Sequence, residues 1–209
     1  MISDTKTRIL DTAESLFSEQ GLAATSLRNI ISKANVNLAA IHYHFRSKDA
    51  LVEAVIGQRV AQVNRERLEM LDRAEAASDP PRVEAVVEAF IAPTVMLALH
   101  PDRGGRTFVR LMGRFLVEGG DKMPQVMQKH FGEVILRFRR ALERALPQLP
   151  PEELVWRMYF TTGAMAHALR CGPELEVLGG GQCNPTDYRG VTDRLVRFLA
   201  AGFRAEHGA

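Results

Sequence analysis

The chain has 209 residues, of which 46% are hydrophobic and 25% charged, a balance ordinary for a globular protein and a poor fit to disordered, collagenous or membrane classes. Lys and Arg number 27 against 25 Asp and Glu, a net charge of +2 that by itself announces no nucleic-acid partner. No apolar run reaches the roughly 18 residues that span a bilayer, and Met1 to Arg8 does not resemble a signal peptide, so a cytoplasmic location with no membrane partner is expected. The two cysteines, Cys171 and Cys183, are too few for a disulfide framework or a closed zinc site, and neither metal nor cofactor is expected.

Apolar residues recur at three- and four-residue steps almost throughout and β-branched residues never alternate for long, which predicts an all-α fold. The first helix is predicted from Asp4 to Gln20, with Ile9, Ala13, Leu16 and Phe17 inward and Gly21 as its stop. The Thr25-Ser26 hydroxyls suit the cap of a second helix that turns Leu27, Ile30 and Ile31 inward. Asn35-Val36-Asn37 reads as a tight turn, and a short third helix follows from Leu38 to His44, anchored by Ile41 and Phe45. Ser47 reads as the cap of a long fourth helix from Lys48 through Leu51, Val55, Ile56 and Val60 toward Leu71.

Ser78-Asp79-Pro80-Pro81 cannot continue a helix, and a new section begins there. Helices are predicted from Arg82 to His100, Gly105 to Glu118, Pro124 to Leu146, Pro151 to Arg170 and Tyr188 to Arg204, about nine in all. Cys171 to Asp187, with Gly179-Gly180-Gly181 and two prolines, reads as a loop. The expected organisation is a helix-turn-helix head of three helices over residues 1–47 and a second helical section over 48–209, joined by the helix at 48–75.

Charge distribution says more than net charge. Between Glu19 and Asp49 no acidic residue occurs, while Arg28, Lys33, Arg46 and Lys48 are cationic. Phosphate binding depends on where charge sits, so this window predicts a local anion-attracting surface. The third helix combines small residues with donors, acceptors and an aromatic hydroxyl at Asn37, Leu38, Ala39, His42 and Tyr43, a set that fits a major groove. Thr25, Ser26, Arg28 and Lys48 flank it with the groups that grip phosphate oxygens.

The run Ile9-Leu10-Asp11-Thr12-Ala13-Glu14, then Phe17, Gly21, Thr25-Ser26, Val36 and His42-Tyr43-His44-Phe45-Arg46-Ser47-Lys48, resembles the DNA-binding head of the TetR-type repressor family over residues 5 to 56. The resemblance implies a homodimer, a double-stranded DNA operator and a divergent C-terminal helical domain that binds an inducer. It implies Thr25, Ser26, Arg28, Tyr43, His44 and Lys48 at the DNA backbone, with Asn37, Leu38, Ala39 and His42 at base edges. His42 departs from the Tyr that is common at its position. Asn35 to Ala40 with Tyr43-His44-Phe45 further resembles the PsrA-like branch, whose members respond to long-chain fatty acids or acyl-CoA.

In the C-terminal section, Phe90, Met96, Phe108, Met112, Phe115, Phe131, Trp156, Phe160 and His167 are candidate lining for a small apolar effector, because thioethers and rings adapt to varied shapes. Arg110, Arg114 or His167 could meet an acidic end of that ligand. The same residues would equally fill a core. Gly163, Ala164, Ala166 and Ala168 on one of the last two long helices, and Val191, Leu195, Phe198, Leu199 and Gly202 on the other, could pair with their copies around a twofold or pack internally. A dimer of such heads meets half-sites about 34–36 Å apart, which calls for a near-palindromic operator.

No G-x-S-x-G elbow, Gly-rich phosphate loop or H-E-x-x-H pair occurs, and no catalytic residue is expected. The functional expectation is a ligand-responsive transcriptional repressor released by an effector such as a fatty acid or acyl-CoA. The alternatives are a DNA-binding regulator or architectural protein without a ligand, and one sensing an apolar drug or aromatic compound.

Overall fold

The computed structural model describes residues 5–99, 105–170 and 172–206. Among them it contains α1 (Thr5–Gln20), α2 (Leu27–Ala34), α3 (Leu38–Phe45), α4 (Lys48–Ala77), α5 (Val83–Leu99), α6 (Gly105–Glu118), a one-turn 3-10 helix (Gly120–Lys122), α7 (Met123–Ala145), α8 (Pro151–Arg170), α9 (Gly172–Leu178) and α10 (Tyr188–Arg204). No strand occurs among the described residues, and none of their helices is long and apolar enough to cross a membrane. They fall into two compact units, one within Met1–Gln62 and Gly104–His130, the other within Val63–Arg103 and Phe131–Ala209.

In the first unit α1 packs against α2, α3 and α6. Ile9, Ala13, Leu16 and Phe17 recur at three- and four-residue steps along α1, which puts them on one buried stripe. Ile30 of α2, Ile41 and Phe45 of α3, Leu51, Val55 and Ile56 of α4 and Phe108, Leu111 and Phe115 of α6 are buried with them. The buried carboxylate of Glu14 is not left alone: Arg59 of α4 donates to it through Nε at 3.0 Å and Nη2 at 2.9 Å. A forked, two-point pair of this kind offsets the cost of removing the charge from water.

In the second unit α10 packs on α5 and α8, and α5 on α8. Its core includes Leu71, Val87, Ile91, Phe138, Leu154, Leu199 and Phe203. Pro93 sits inside α5, where it has no N–H to donate and leaves a carbonyl one turn back without its helical partner. Arg67 of α4 is buried beside this break and donates to the Phe90 carbonyl at 2.8 Å, Thr94 Oγ1 at 2.8 Å and Asn64 Oδ1 at 3.2 Å. Its guanidinium also lies 4.2 Å from the centre of the Phe90 ring. Burial pushes Arg67 down to about 10, since all its acceptors are neutral. On α8 of the same unit, Arg157 Nη1 donates to the carbonyls of Gly202, Phe203 and Ala205, each at 2.9 Å. A cation there satisfies acceptors that the end of α10 leaves open.

The expectation of a continuous loop from Cys171 to Asp187 is corrected by α9. A proline is compatible with the first turn of a helix, and Glu174 to Leu178 are residues that sustain one, until Gly179, Gly180 and Gly181 end it. Gly180 and Gly181 take positive φ of 54° and 80°, which glycine adopts without a Cβ penalty. Cys171 lies outside the described residues. Among those described, no group of three or more His, Cys, Asp or Glu side chains is placed to hold a metal.

Candidate nucleic-acid interface

The geometry of the head is set by caps. Ser26 Oγ accepts from the Asn29 amide at 3.2 Å and starts α2. Asn35 then takes the left-handed conformation, φ 52° and ψ 54°, and the Val36 amide donates back to the Ile31 carbonyl at 3.2 Å. Asn37 starts α3, its Oδ1 accepting from the Ala40 amide at 2.8 Å. Ser47 Oγ accepts from the Ala50 amide at 3.1 Å at the start of α4. Each cap satisfies an amide that the first turn of a helix otherwise leaves open.

Ile41 and Phe45 fix one side of α3 in the core. The opposite side is exposed at Leu38, Ala39, His42 and Tyr43, with Tyr43 84% accessible. His44 is half-buried and stands between its neighbours, its ring 5.0 Å from that of Tyr43 and 5.9 Å from that of Phe45. Ser26, Arg28 and Asn37 are exposed. Half-buried Lys48 donates through Nζ to the Ala23 carbonyl at 3.3 Å. The structure thus gathers all of the candidate DNA-facing residues around α3 except Thr25.

Thr25 is a correction. Its side chain is wholly buried, and its hydroxyl donates to the Gly21 carbonyl at 2.8 Å with the Leu16 carbonyl 3.2 Å away. It ties the turn before α2 to the end of α1, so it is not available to a phosphate. Asn37 serves first as a helix cap, which leaves its amide nitrogen as the remaining polar group for a base.

Two residues of α6 that carry no local sign of it belong to the head. Arg114 and Glu118, one turn apart on α6, grip the turn between α1 and α2 from both of its polar sides. Arg114 donates to the Ser18 carbonyl at 3.1 Å and the Glu19 carbonyl at 3.0 Å, while Glu118 accepts from the amides of Leu22 at 2.7 Å and Ala23 at 3.1 Å. Gly21, at φ 95°, fits beneath because a Cβ there would stand 2.8 Å from Arg114 Nη1. Desolvation raises the Glu118 carboxyl, but the Ala23 and Leu22 amides and the Arg114 guanidinium outweigh it and hold the group below the usual carboxylate range. Arg114 is therefore committed to the head and does not serve the acidic end of a ligand. The i,i+4 spacing of opposite charges was legible in the sequence, but it gave no sign that both groups would turn toward a neighbouring backbone.

The same turn borders a cleft of about 530 Å³, lined by Leu22, Lys48, Val52, Glu53, Phe115, Glu118, Val126 and Lys129 among others. Lys129 of α7 pairs with Glu53. Of the nine candidate effector-lining residues, Phe115 reaches this cleft, while Phe108 is buried and Met112 half-buried in the same unit. In the second unit Phe90, Met96 and Phe131 are half-buried, and Phe90 meets Phe138 edge-on at 5.2 Å. Trp156, Phe160 and His167 are exposed and are corrected as interior lining. The positions that α8 buries are Leu154, Arg157, Thr161 and Met165, a helical stripe that turns residues 156 and 160 outward.

The exposed side of α8 carries Val155, Trp156, Tyr159 and Phe160, with Phe198 of α10 72% accessible. Trp156 stacks on Phe160 at 5.7 Å. Gly163 and Gly202 have open space where a Cβ would be. Of the residues expected to pair, Phe198 and Gly202 are exposed, whereas Leu199 is buried and Val191 and Leu195 pack against the core.

Capped helices flanking an exposed, acid-free third helix define a helix-turn-helix DNA-binding protein. The chain matches the model described as "Bacterial regulatory proteins, tetR family" over residues 9–55 and that described as "Tetracyclin repressor-like, C-terminal domain" over residues 88–202. It belongs to the TetR family of transcriptional regulators, with its DNA-binding domain at the N-terminus, and is not an enzyme. It is 39% identical over 54 residues to the probable transcriptional regulator YttP of Bacillus subtilis, covering 26% of each chain. It is 36% identical over 77 residues to the transcriptional regulator AcrR of Shigella flexneri, covering 37% of this chain and 35% of that one. These matches span about a quarter to a third of the relatives' length. Among solved structures the fatty acid degradation regulator FadR of Bacillus halodurans superposes with a TM-score of 0.72 at 11% identity, covering 99% of this chain and 100% of that one. FadR of Bacillus subtilis, in complex with stearoyl-CoA, superposes with a TM-score of 0.72 at 12% identity, covering 93% and 97%. At such identities the likeness is one of fold.

Proposed function

We propose that the protein is a homodimeric repressor that reads a near-palindromic operator with α3 and is released by a small apolar effector such as a fatty acid or acyl-CoA. The observation that carries the DNA part is α3 itself. Its core side is anchored, its outer side is small and polar apart from Leu38, and Arg28, Arg46 and Lys48 surround it with no acid between Glu19 and Asp49. Arg28 and Tyr43 are phosphate contacts, His42 and Ala39 face bases, and His44 and Lys48 hold the ends of the helix against the backbone.

The aromatic side of α8 with Phe198 and Gly202 of α10 supports pairing with a second copy, because a twofold axis brings the same apolar patch onto itself. The fatty-acyl reading is supported by the stearoyl-CoA in the B. subtilis neighbour. An aromatic effector is the second reading, supported by the resorcinol in RolR, which superposes with a TM-score of 0.51. The effector acts by population shift, so it must bind the DNA-competent and DNA-incompetent conformations with different affinity.

Native mass spectrometry followed by thermal melting against stearate, stearoyl-CoA and resorcinol tests this reading. The expected outcome is a dimer whose melting temperature rises with the acyl ligands by mass action and whose affinity for operator DNA falls on saturation. A monomer, or a dimer that none of the three ligands stabilises, overturns the corresponding part of the proposal.

A further inference from the structure

Arg46 closes α3 at φ 64° and ψ −41°, with its own amide donating to the His42 carbonyl at 3.2 Å. Across it the Ser47 amide donates to the Phe45 carbonyl at 2.7 Å. Arg46 is thus the centre of a γ-turn of the rarer, positive-φ kind, which is strained for a residue with a side chain. Among the described residues the other positive-φ positions are held by Gly21, Gly120, Gly180, Gly181 and Asn35. Glycine has no Cβ to clash, and Asn tolerates the left-handed region. Arginine has neither advantage.

The fold does not reward the side chain for this strain. Arg46 is exposed, and among the described residues its guanidinium has no ion-pair partner, whereas Arg59, Arg114 and Lys129 of the same unit are paired with Glu14, Glu118 and Glu53. Strain that the interior does not repay is characteristic of positions kept for a ligand. The turn that Arg46 forms also sets Ser47 as the cap of α4 and Lys48 as its first residue. A guanidinium there adds a forked donor beside the Lys48 ammonium, at the end of a stretch that carries no acid from Gln20 to Lys48 and just before Asp49.

We propose that Arg46 is an additional contact to the DNA backbone at the exit of α3, and that its grip on a phosphate is the reason an arginine occupies this strained turn. The inference rests on the DNA-binding reading above. A phosphate contact is independent of sequence, so a random-sequence duplex is a sufficient probe and the operator need not be known.

The test compares the full chain with Arg46→Gly, Arg46→Gln and Arg46→Lys, by fluorescence anisotropy on such a duplex at several salt concentrations and by thermal melting. Arg46→Gly is expected to melt a few degrees higher, because the turn is relaxed. It should also bind DNA roughly tenfold more weakly per head near 0.1 M salt, with the salt slope reduced by about 0.9 per head. Arg46→Gln should lose the same binding without the gain in melting temperature, and Arg46→Lys should keep the slope. Parent-like affinity and slope for Arg46→Gly would show that the turn alone explains the residue and overturn the proposal. So would a melting temperature at or below that of the parent, which removes the strain. The parent's own binding curve reports the DNA reading separately: a folded parent that ignores duplex DNA ends both, and a difference confined to the variants decides this inference alone.

Discussion

Two exposed surfaces of this chain are built from opposite chemistry. Around α3 the accessible side chains, apart from Leu38, are small, polar or cationic: Ala39, His42, Tyr43, Arg28 and Arg46. On α8 and α10 the exposed side chains include large apolar ones: Trp156, Tyr159, Phe160 and Phe198. Both are helix faces left over after the inward stripe has been buried, so burial pattern alone does not distinguish them. The difference lies in what each face gives up when covered. Rings lose unfavourable contact with water against another dry surface, whereas uncompensated cations and donors gain from a wet, negatively charged partner.

The largest effect that would break this contrast is on α8. Trp156→Ala should weaken the dimer by about 2 kcal/mol or more for each copy of the ring removed, counted twice around a twofold. Sedimentation at falling protein concentration should then show monomer with undiminished helicity; an unchanged dimer would mean the aromatic face has another use. Glu118→Gln should cost the first unit about 1–2 kcal/mol, since a charge-assisted acceptor of two backbone amides becomes a neutral one. Denaturant titration reads this loss, and a change within error would deny the carboxylate its part in holding the turn. On α3, Lys48→Ala should weaken binding to all DNA sequences and flatten the salt dependence by about 0.9 per head, whereas His42→Ala should alter preference between sequences. Equal salt slopes for Lys48→Ala and the parent would take Lys48 off the phosphate list.

The smallest effect separates a surface ion pair from both faces. The hydrogen bond from Arg204 holds Glu84 down at about 2 in the folded chain, from an ordinary 4.5. The folded value is the lower one, so the stabilisation is complete above the unfolded value of about 4.5 and is lost as pH falls from there toward 2. Glu84 is 34% exposed and Arg204 47%, so solvent screening limits the contribution to about 0.5–1 kcal/mol. Melting between pH 6 and 3 of the parent against Glu84→Gln checks it, with the two curves expected to converge at the acid end.

Much of the head was legible because its signals are local. Ser26 and Ser47 cap their helices within three residues, Gly21 stops α1, and Ile41 with Phe45 anchors α3 at helical spacing; that Asn37 of the tight turn caps α3 was shown only by the structure. Thr25 misled for the same reason that Ser26 did not. Both carry a hydroxyl at the start of α2, but the backbone turned one outward and one onto the carbonyls of Leu16, near the end of α1, and Gly21, just after it, a choice that depends on how α1 and α2 pack. The C-terminal section was less legible. An apolar residue in a helix can fill a core, line a cavity or wait for a partner, and its type is the same in each case. Trp156 and Phe160 therefore read as lining in the sequence, and the structure exposes both. α9 does not stand out in the sequence because Gly172-Pro173 open it and Gly179 to Gly181 follow it directly, so the segment as a whole carries the composition of a loop.

The helical class, the caps at Ser26 and Ser47, the breaks at Gly21 and Ser78 to Pro81 and the acid-free window follow from the sequence, since each depends on residues within a few positions of one another. The tertiary structure alone decided that Arg114 and Glu118 reach from α6 to the turn after α1, that Arg67 is buried among neutral acceptors beside Pro93, and which face of α8 stays open. Those outcomes follow from the rotation of one helix against another, and that rotation is set by the packing of whole faces rather than by any one residue.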